Sequence, residues 1–119
     1  MKTTEKCDLV DNERGLNEAL TANERVIVLF YASWCPFCVD FLPVFQKCAE
    51  GEGLGFLVVQ DDQEALGDRY AVEVVPTVLF FRNGNVARRL DGTLGVGLNE
   101  KQLTKFIQTC AAPSGSPAK

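Results

Sequence analysis

The sequence predicts an α/β protein with a central mixed sheet of four to five strands, flanked by helices on both faces. Two apolar, β-rich runs at 26–31 and 56–59 read as strands buried on both faces. Between them lies a stretch whose apolar residues recur at helical spacing. Asn83-Gly84-Asn85 then separates two further strand-like runs, a strong hairpin signal.

Taken in order, Leu9 and Val10 fit a short first strand. Asp11 is placed to cap a helix whose Leu16, Ala19 and Leu20 face a core. The central strand 26–31 follows. In the next helix Cys38, Phe41, Leu42, Phe45, Cys48 and Ala49 form one apolar stripe. Pro43 lies inside it and is expected to bend it, because proline removes one helix hydrogen bond. Residues 51–55 end that helix and 56–59 form the next buried strand. Asp61 and Glu64 have capping-box spacing for a third helix ending near Tyr70. Runs 77–82 and 86–90 flank the hairpin turn. Asn99 can cap the last helix, whose stripe is Leu103, Phe106, Ile107 and Cys110. The order is therefore β-α-β-α-β-α-β-β-α, with parallel strands from the crossover helices and antiparallel ones from the final hairpin.

A chain of 119 residues fits one domain, assigned to 1–111. Residues 112–119, rich in Pro, Ser, Gly and Ala, are expected to form a flexible C-terminal tail. A net charge of −4 with no basic block argues against nucleic acid and against anionic membrane surfaces. No run approaches the ~20 apolar residues of a membrane span. Nothing near the N-terminus reads as a signal peptide, so a cytoplasmic location and a monomer are the expectations. Five cysteines, an odd number, fit a reducing compartment better than a secreted disulfide scaffold.

Chemistry concentrates at Cys35-Pro36-Phe37-Cys38, where the central strand meets the striped helix. A cysteine at a helix N-terminus meets unpaired N–H groups and the positive end of the backbone dipole. Both favour thiolate, so its pKa is expected below the free value of about 8.5. Cys38 lies three residues on, near enough to close a disulfide. Cys35 is then the attacking thiol, and Cys38, on the apolar stripe, resolves the mixed disulfide. Pro36 suits the first helical turn, where no N–H is needed. Structural zinc needs about four ligands, and the chain has no histidine. An inert buried pair is the other alternative. The position at a helix start favours redox chemistry, with no metal and no cofactor beyond the Cys35–Cys38 disulfide itself.

Trp34-Cys35-Pro36-Phe37-Cys38 after a strand, together with Val75-Pro76-Thr77 leading into 78–84, resembles the thioredoxin family over roughly residues 24–110. The resemblance implies the thioredoxin fold. It implies that Trp34 packs beside the reactive sulfur, that Pro43 is the helix-kinking proline, and that Pro76 is a cis-proline against the two sulfurs. It also implies that the backbone at Val75 pairs with an extended substrate. Thr77 follows the thioredoxin pattern after that proline. Gly92 matches the glycine that lets a substrate backbone approach closely.

The sequence also departs from the family. Thioredoxins usually carry Gly-Pro between the cysteines, whereas Pro36-Phe37 resembles glutaredoxins. Typical potentials of the two families differ by about 40–70 mV, roughly 2–3 kcal/mol for a two-electron couple. A potential above that of thioredoxin is expected, still reductive in the cytosol. The glutathione contacts of glutaredoxins have no counterparts after Pro76. The family's buried aspartate and lysine are matched here to Leu29 and Leu57, so the usual base for the resolving thiol is absent. Asp40, near in sequence, points off the apolar stripe and is expected to be solvated. Cys48 and Cys110 read as buried small hydrophobes. Cys7 reads as an edge-strand thiol open to glutathionylation or dimerisation.

The leading functional reading is a protein-disulfide reductase, an electron carrier acting on disulfide-containing proteins and recycled by a thioredoxin-reductase-like flavoprotein. The chain has no Gly-rich nucleotide loop of its own. The alternatives are an oxidant or isomerase, a glutathione-coupled protein, and a non-enzymatic module that binds partners through a groove of Trp34, Phe37, Val75 and Pro76.

Overall fold

The computed structural model describes residues 8–49, 54–93 and 96–110. Along them run β1 (Asp8–Val10), α1 (Glu13–Ala22), β2 (Arg25–Tyr31), α2 (Pro36–Cys48), β3 (Gly55–Gln60), α3 (Ala65–Asp68), β4 (Thr77–Arg82), β5 (Asn85–Leu90) and α4 (Glu100–Cys110). Cys7, the residues expected to end the second helix at 51–53, and the tail expected at 112–119 lie outside the described residues.

The five strands form one sheet in the order β1-β3-β2-β4-β5. Its centre is β2, as its unbroken apolar run predicts: residues 26–31 are all buried. Side chains alternate faces with period two, and the two faces build two cores. On one side Ile27, Leu29, Tyr31, Val58, Val78 and Phe80 pack with Cys38, Phe41 and Phe45 of α2 and with Leu103, Phe106, Ile107 and Cys110 of α4. On the other, Val28, Phe30, Leu57, Val59, Leu79 and Phe81 meet Leu16 and Leu20 of α1 and Leu66 of α3. The helical stripes predicted for α2 and α4 are the residues that reach the first core.

β1 and β2 both run parallel to β3, whereas β4 runs antiparallel to β2 and to β5. The parallel relation expected across the third helix is therefore corrected. α3 is a single turn of four residues, too short to carry a returning crossover. Its geometry is set by Asp61, whose buried carboxylate accepts from the amides of Leu66 at 3.0 Å and Gly67 at 2.6 Å. Glu64 precedes it at φ 65°, so the expected capping box does not form.

The cap of α1 falls one residue later than Asp11: the Asn12 side chain accepts from the amide of Gly15 at 2.7 Å. Asn99 does cap α4, accepting from the amide of Gln102 at 2.9 Å while Gln102 reciprocates at 3.0 Å. α2 runs as one helix through Pro43. The carbonyl that Pro43 leaves without a helix donor belongs to Val39, a residue that is itself exposed. The hairpin turns at Asn83 and Gly84, both at positive φ (52° and 85°), which gives the twist that a two-residue loop needs. At the sheet edges β1 has three residues, and β5 is exposed from Asn85 to Arg89, with a register shift in its pairing between Phe80 and Phe81.

Candidate active site around Cys35 and Cys38

Three segments meet at the C-terminal end of β2. The first is the turn that starts α2. Cys35 is its N-cap, and its carbonyl accepts from the amide of Val39 at 3.0 Å. Pro36 takes the first helical position, where its missing N–H costs nothing. Cys35 and Cys38 are both thiols in the structure.

Their surroundings differ. Cys35 is 6% exposed, with Sγ 3.7 Å from the carbonyl oxygen of Val75. Cys38 is 0% exposed, inside the apolar core. Burial pushes the Cys38 thiol up to about 12, and the neighbouring Cys35 adds to the rise against a lowering backbone contact at Ala32.

The second segment is 74–77. The Val75–Pro76 peptide is cis, as the resemblance implied for Pro76. The Thr77 hydroxyl, fully buried, donates to the Val74 carbonyl at 2.5 Å and accepts from the Gly92 amide at 3.2 Å. One side chain thus ties the strand carrying Pro76 to the loop carrying Gly92. A Cβ on Gly92 would lie 2.1 Å from the Pro76 carbonyl oxygen. The chain's own backbone therefore already requires glycine there, apart from any substrate.

The third segment follows β3. Trp34, 57% exposed, donates from its indole Nε1 to the Asp62 carbonyl at 2.9 Å. The Asp62 carboxylate accepts from the amide and hydroxyl of Ser33, each at 2.7 Å, and from Gln60 Nε2 at 3.1 Å. These bonds, the Ser33 amide first, hold the Asp62 carboxyl below its ordinary range. Tyr31 donates to Gln60 Oε1 at 3.2 Å. Burial raises its phenol, helped by the charges of Asp62 and Cys38. This network fixes the approach to Cys35, and sequence reasoning missed it. Its only signal was the doubled Asp61-Asp62 at the strand end.

The structure brings together Trp34, Cys35, Pro36, Phe37, Cys38, Val75, Pro76, Thr77 and Gly92. Leu29 and Leu57, matched in sequence to the family's buried aspartate and lysine, face opposite sides of the sheet. Leu29 faces the cysteines, but its partner in register on β3 is Val58, which shares that face. Leu57 points into the opposite core. Asp40 is exposed, as expected. Cys48 and Cys110 lie apart from the site: Cys110 is buried, whereas Cys48 is half-buried with Sγ 4.0 Å from Thr104 Oγ1. Among the described residues no three His, Cys, Asp or Glu side chains are grouped to hold a metal ion. None of the described helices is long and apolar enough to cross a membrane.

Two thiols of unequal exposure at a helix start, beside a cis-proline loop on a mixed α/β sheet, define a thiol–disulfide oxidoreductase. The family model described as Thioredoxin matches residues 8–109. A chloroplastic thioredoxin Y of Oryza sativa subsp. japonica is 37% identical over 98 residues, covering 79% of this chain and 58% of its own length. A thioredoxin of Mycoplasmoides gallisepticum is 33% identical over 85 residues, covering 70% of this chain and 85% of its own. In fold, a mutant thioredoxin from Halobacterium salinarum superposes with a TM-score of 0.76 at 24% identity, covering 96% of this chain and 98% of that one. The chain belongs to the thioredoxin family.

Proposed function

We propose that this protein reduces disulfide bonds of protein substrates, with Cys35 attacking and Cys38 resolving. The observation that carries the reading is the inequality of the two thiols. Cys35 caps a helix and keeps 6% exposure, whereas Cys38 is fully enclosed in the core with its proton held tightly.

In the first step the Cys35 thiolate attacks one sulfur of the target disulfide. A Cys35–target bond forms, the target S–S bond breaks, and the departing target thiolate takes a proton. In the second, Cys38 loses its proton and attacks Cys35 Sγ. The Cys35–Cys38 bond forms and the second target thiolate leaves. Two electrons pass from the dithiol to the target. The Val75 backbone, facing Cys35, is placed to hold an extended target segment, with Trp34, Pro36, Phe37, Pro76, Thr77 and Gly92 as its supporting wall. A flavoprotein reductase returns the dithiol, and the separate thiols Cys48 and Cys110 suit a reducing compartment such as the cytoplasm.

The test uses the reduced full chain with a disulfide protein. Cys35→Ser is expected to abolish reduction, and Cys38→Ser to accumulate a covalent mixed disulfide. If the double serine variant still reduces the substrate, the assignment is wrong. If it loses reduction but keeps partner binding and cellular function, the protein is a binding module instead.

A further inference from the structure

Residues 69–76, between α3 and β4, lie outside helix and strand, yet they carry Val75 to Cys35. One side chain of β5 holds this loop from outside. Arg89 turns one edge of its guanidinium to Asp91: Nε donates to the two carboxylate oxygens at 3.2 and 3.1 Å, and Nη2 to one of them at 2.8 Å. The other edge reaches across to the loop. There Nη1 donates to the Tyr70 carbonyl and Nη2 to the Ala71 carbonyl, each at 3.0 Å. Only a planar fork of fixed donors serves all three residues at once, and a lysine ammonium has no such fork.

The acceptors give this clasp its bearing on the site. Ala71 stands at φ 58°, a strained conformation that persists only where the surroundings hold it. On one side of it the Tyr70 ring packs against Phe30 and Phe81, with centroids 6.0 and 5.2 Å away. On the other the Val72 amide donates to the Gly67 carbonyl at 2.9 Å. The loop is thus pinned at 70–72, three residues ahead of Val75. Asp91, at the far end of the clasp, directly precedes Gly92, whose amide donates to the Thr77 hydroxyl at 3.2 Å. Arg89 therefore joins the two stretches that meet at Pro76, the loop leading to Val75 and the turn leading to Gly92.

We infer that Arg89 is a positioning residue for target capture: its fork sets the Val75 loop against the Gly92 turn, and so sets how the Val75 backbone is presented to an extended target. The inference rests on the reductase reading and adds to it a residue whose bonds go to neither cysteine. A misplacement of about 1 Å, caused far from the reacting atoms, costs up to about 10²-fold in rate.

The test compares two disulfides with the pre-reduced full chain. One is a disulfide-linked dimer of an extended peptide, and the other is hydroxyethyl disulfide, which has no backbone to pair. The readout is the ratio of their second-order rate constants, so a change in Cys35 chemistry or in the folded fraction cancels. The unaltered chain is expected to favour the peptide. Arg89→Gln is expected to lower the ratio about tenfold or more. Arg89→Lys, which keeps the charge without the fork, is expected to lower it nearly as far. Arg14→Gln, which removes an exposed cation of α1 paired with Glu18, is expected to leave it unchanged. If Arg89→Gln does not fold, Arg89→Lys decides. A ratio that survives Arg89→Lys, or that falls equally in Arg14→Gln, overturns the positioning role. A ratio near one in the unaltered chain removes the backbone pairing on which the role depends. If the unaltered chain reduces neither disulfide, the reductase reading itself fails.

Discussion

Replacing Leu29 with aspartate places a carboxylate in the apolar core that encloses Cys38, beside Val58 on the neighbouring strand. The resolving thiol is raised from an ordinary 9.0 to about 12. Three units of rise cut its thiolate about 10³-fold at neutral pH, while the more basic thiolate is about 15–30-fold more nucleophilic. The second exchange step is slowed by at most about 30–60-fold, since the part of the rise that Cys35 contributes ends once its sulfur is bonded to the target. Burial, the largest cause, persists in the mixed disulfide. Trp34 is the sole tryptophan and adjoins Cys35, so its fluorescence in a stopped-flow single turnover reports both steps. The slower phase is expected to accelerate about tenfold per pH unit from pH 7 to 9, since only the thiolate attacks. Leu29→Asp is expected to speed that phase at pH 7 by about 10²-fold, the lower end of general-base catalysis. It should also cost about 3–5 kcal/mol of stability, as an uncompensated buried charge does. A slow phase that is flat or already saturated below pH 9 in the unaltered chain refutes the reasoning, whether or not the variant folds.

Three further outcomes are expected. Gly92→Ala drives a Cβ towards the Pro76 carbonyl oxygen at 2.1 Å, and should lower the urea midpoint by the equivalent of about 1–3 kcal/mol; an unchanged midpoint would remove steric contact as the reason for glycine. Ala71 sits at φ 58°, so Ala71→Gly should raise stability by about 0.5–1 kcal/mol, the left-handed cost less glycine's entropy; a loss measured in urea would refute that balance. Burial raises Cys38 and Cys110 from 9.0 to about 12 in the folded state, so the fold keeps protons that the unfolded chain sheds. That contribution is complete below about pH 9 and is lost as pH climbs towards 12. The urea midpoint should fall between pH 8 and 10.5, and less steeply in Cys110→Val; an equal fall in both would exclude Cys110.

The strands and helices that could be read from the sequence are those whose burial imposes a period. The run at 26–31 and the stripe from Cys38 to Ala49 are buried as their spacing requires. The Cys35–Cys38 pair was legible because a helix start and two thiols coincide in sequence. What escaped depends on contacts distant in the chain. α3 is shaped by the buried Asp61 carboxylate rather than by a helical pattern of its own. That Leu57 and Val58 serve opposite cores turns on a single residue of register, since one step along a strand moves a side chain to the other face. The loop that brings Gly97 onto Phe37 leaves no local mark, because glycines serve turns everywhere.

The two margins of the sheet have a bearing on what the protein must avoid. A protein proposed to hold extended chains faces a risk of self-association, since an open strand edge pairs with any extended backbone, including a copy of itself. β1 offers only three residues for such pairing, and β5 carries Arg88 and Arg89 beside its irregular register. Short length, positive charge and a broken ladder each discourage fibril-like stacking. The landing place proposed for extended targets, the Val75 backbone beside Cys35 Sγ, belongs to neither of these edge strands.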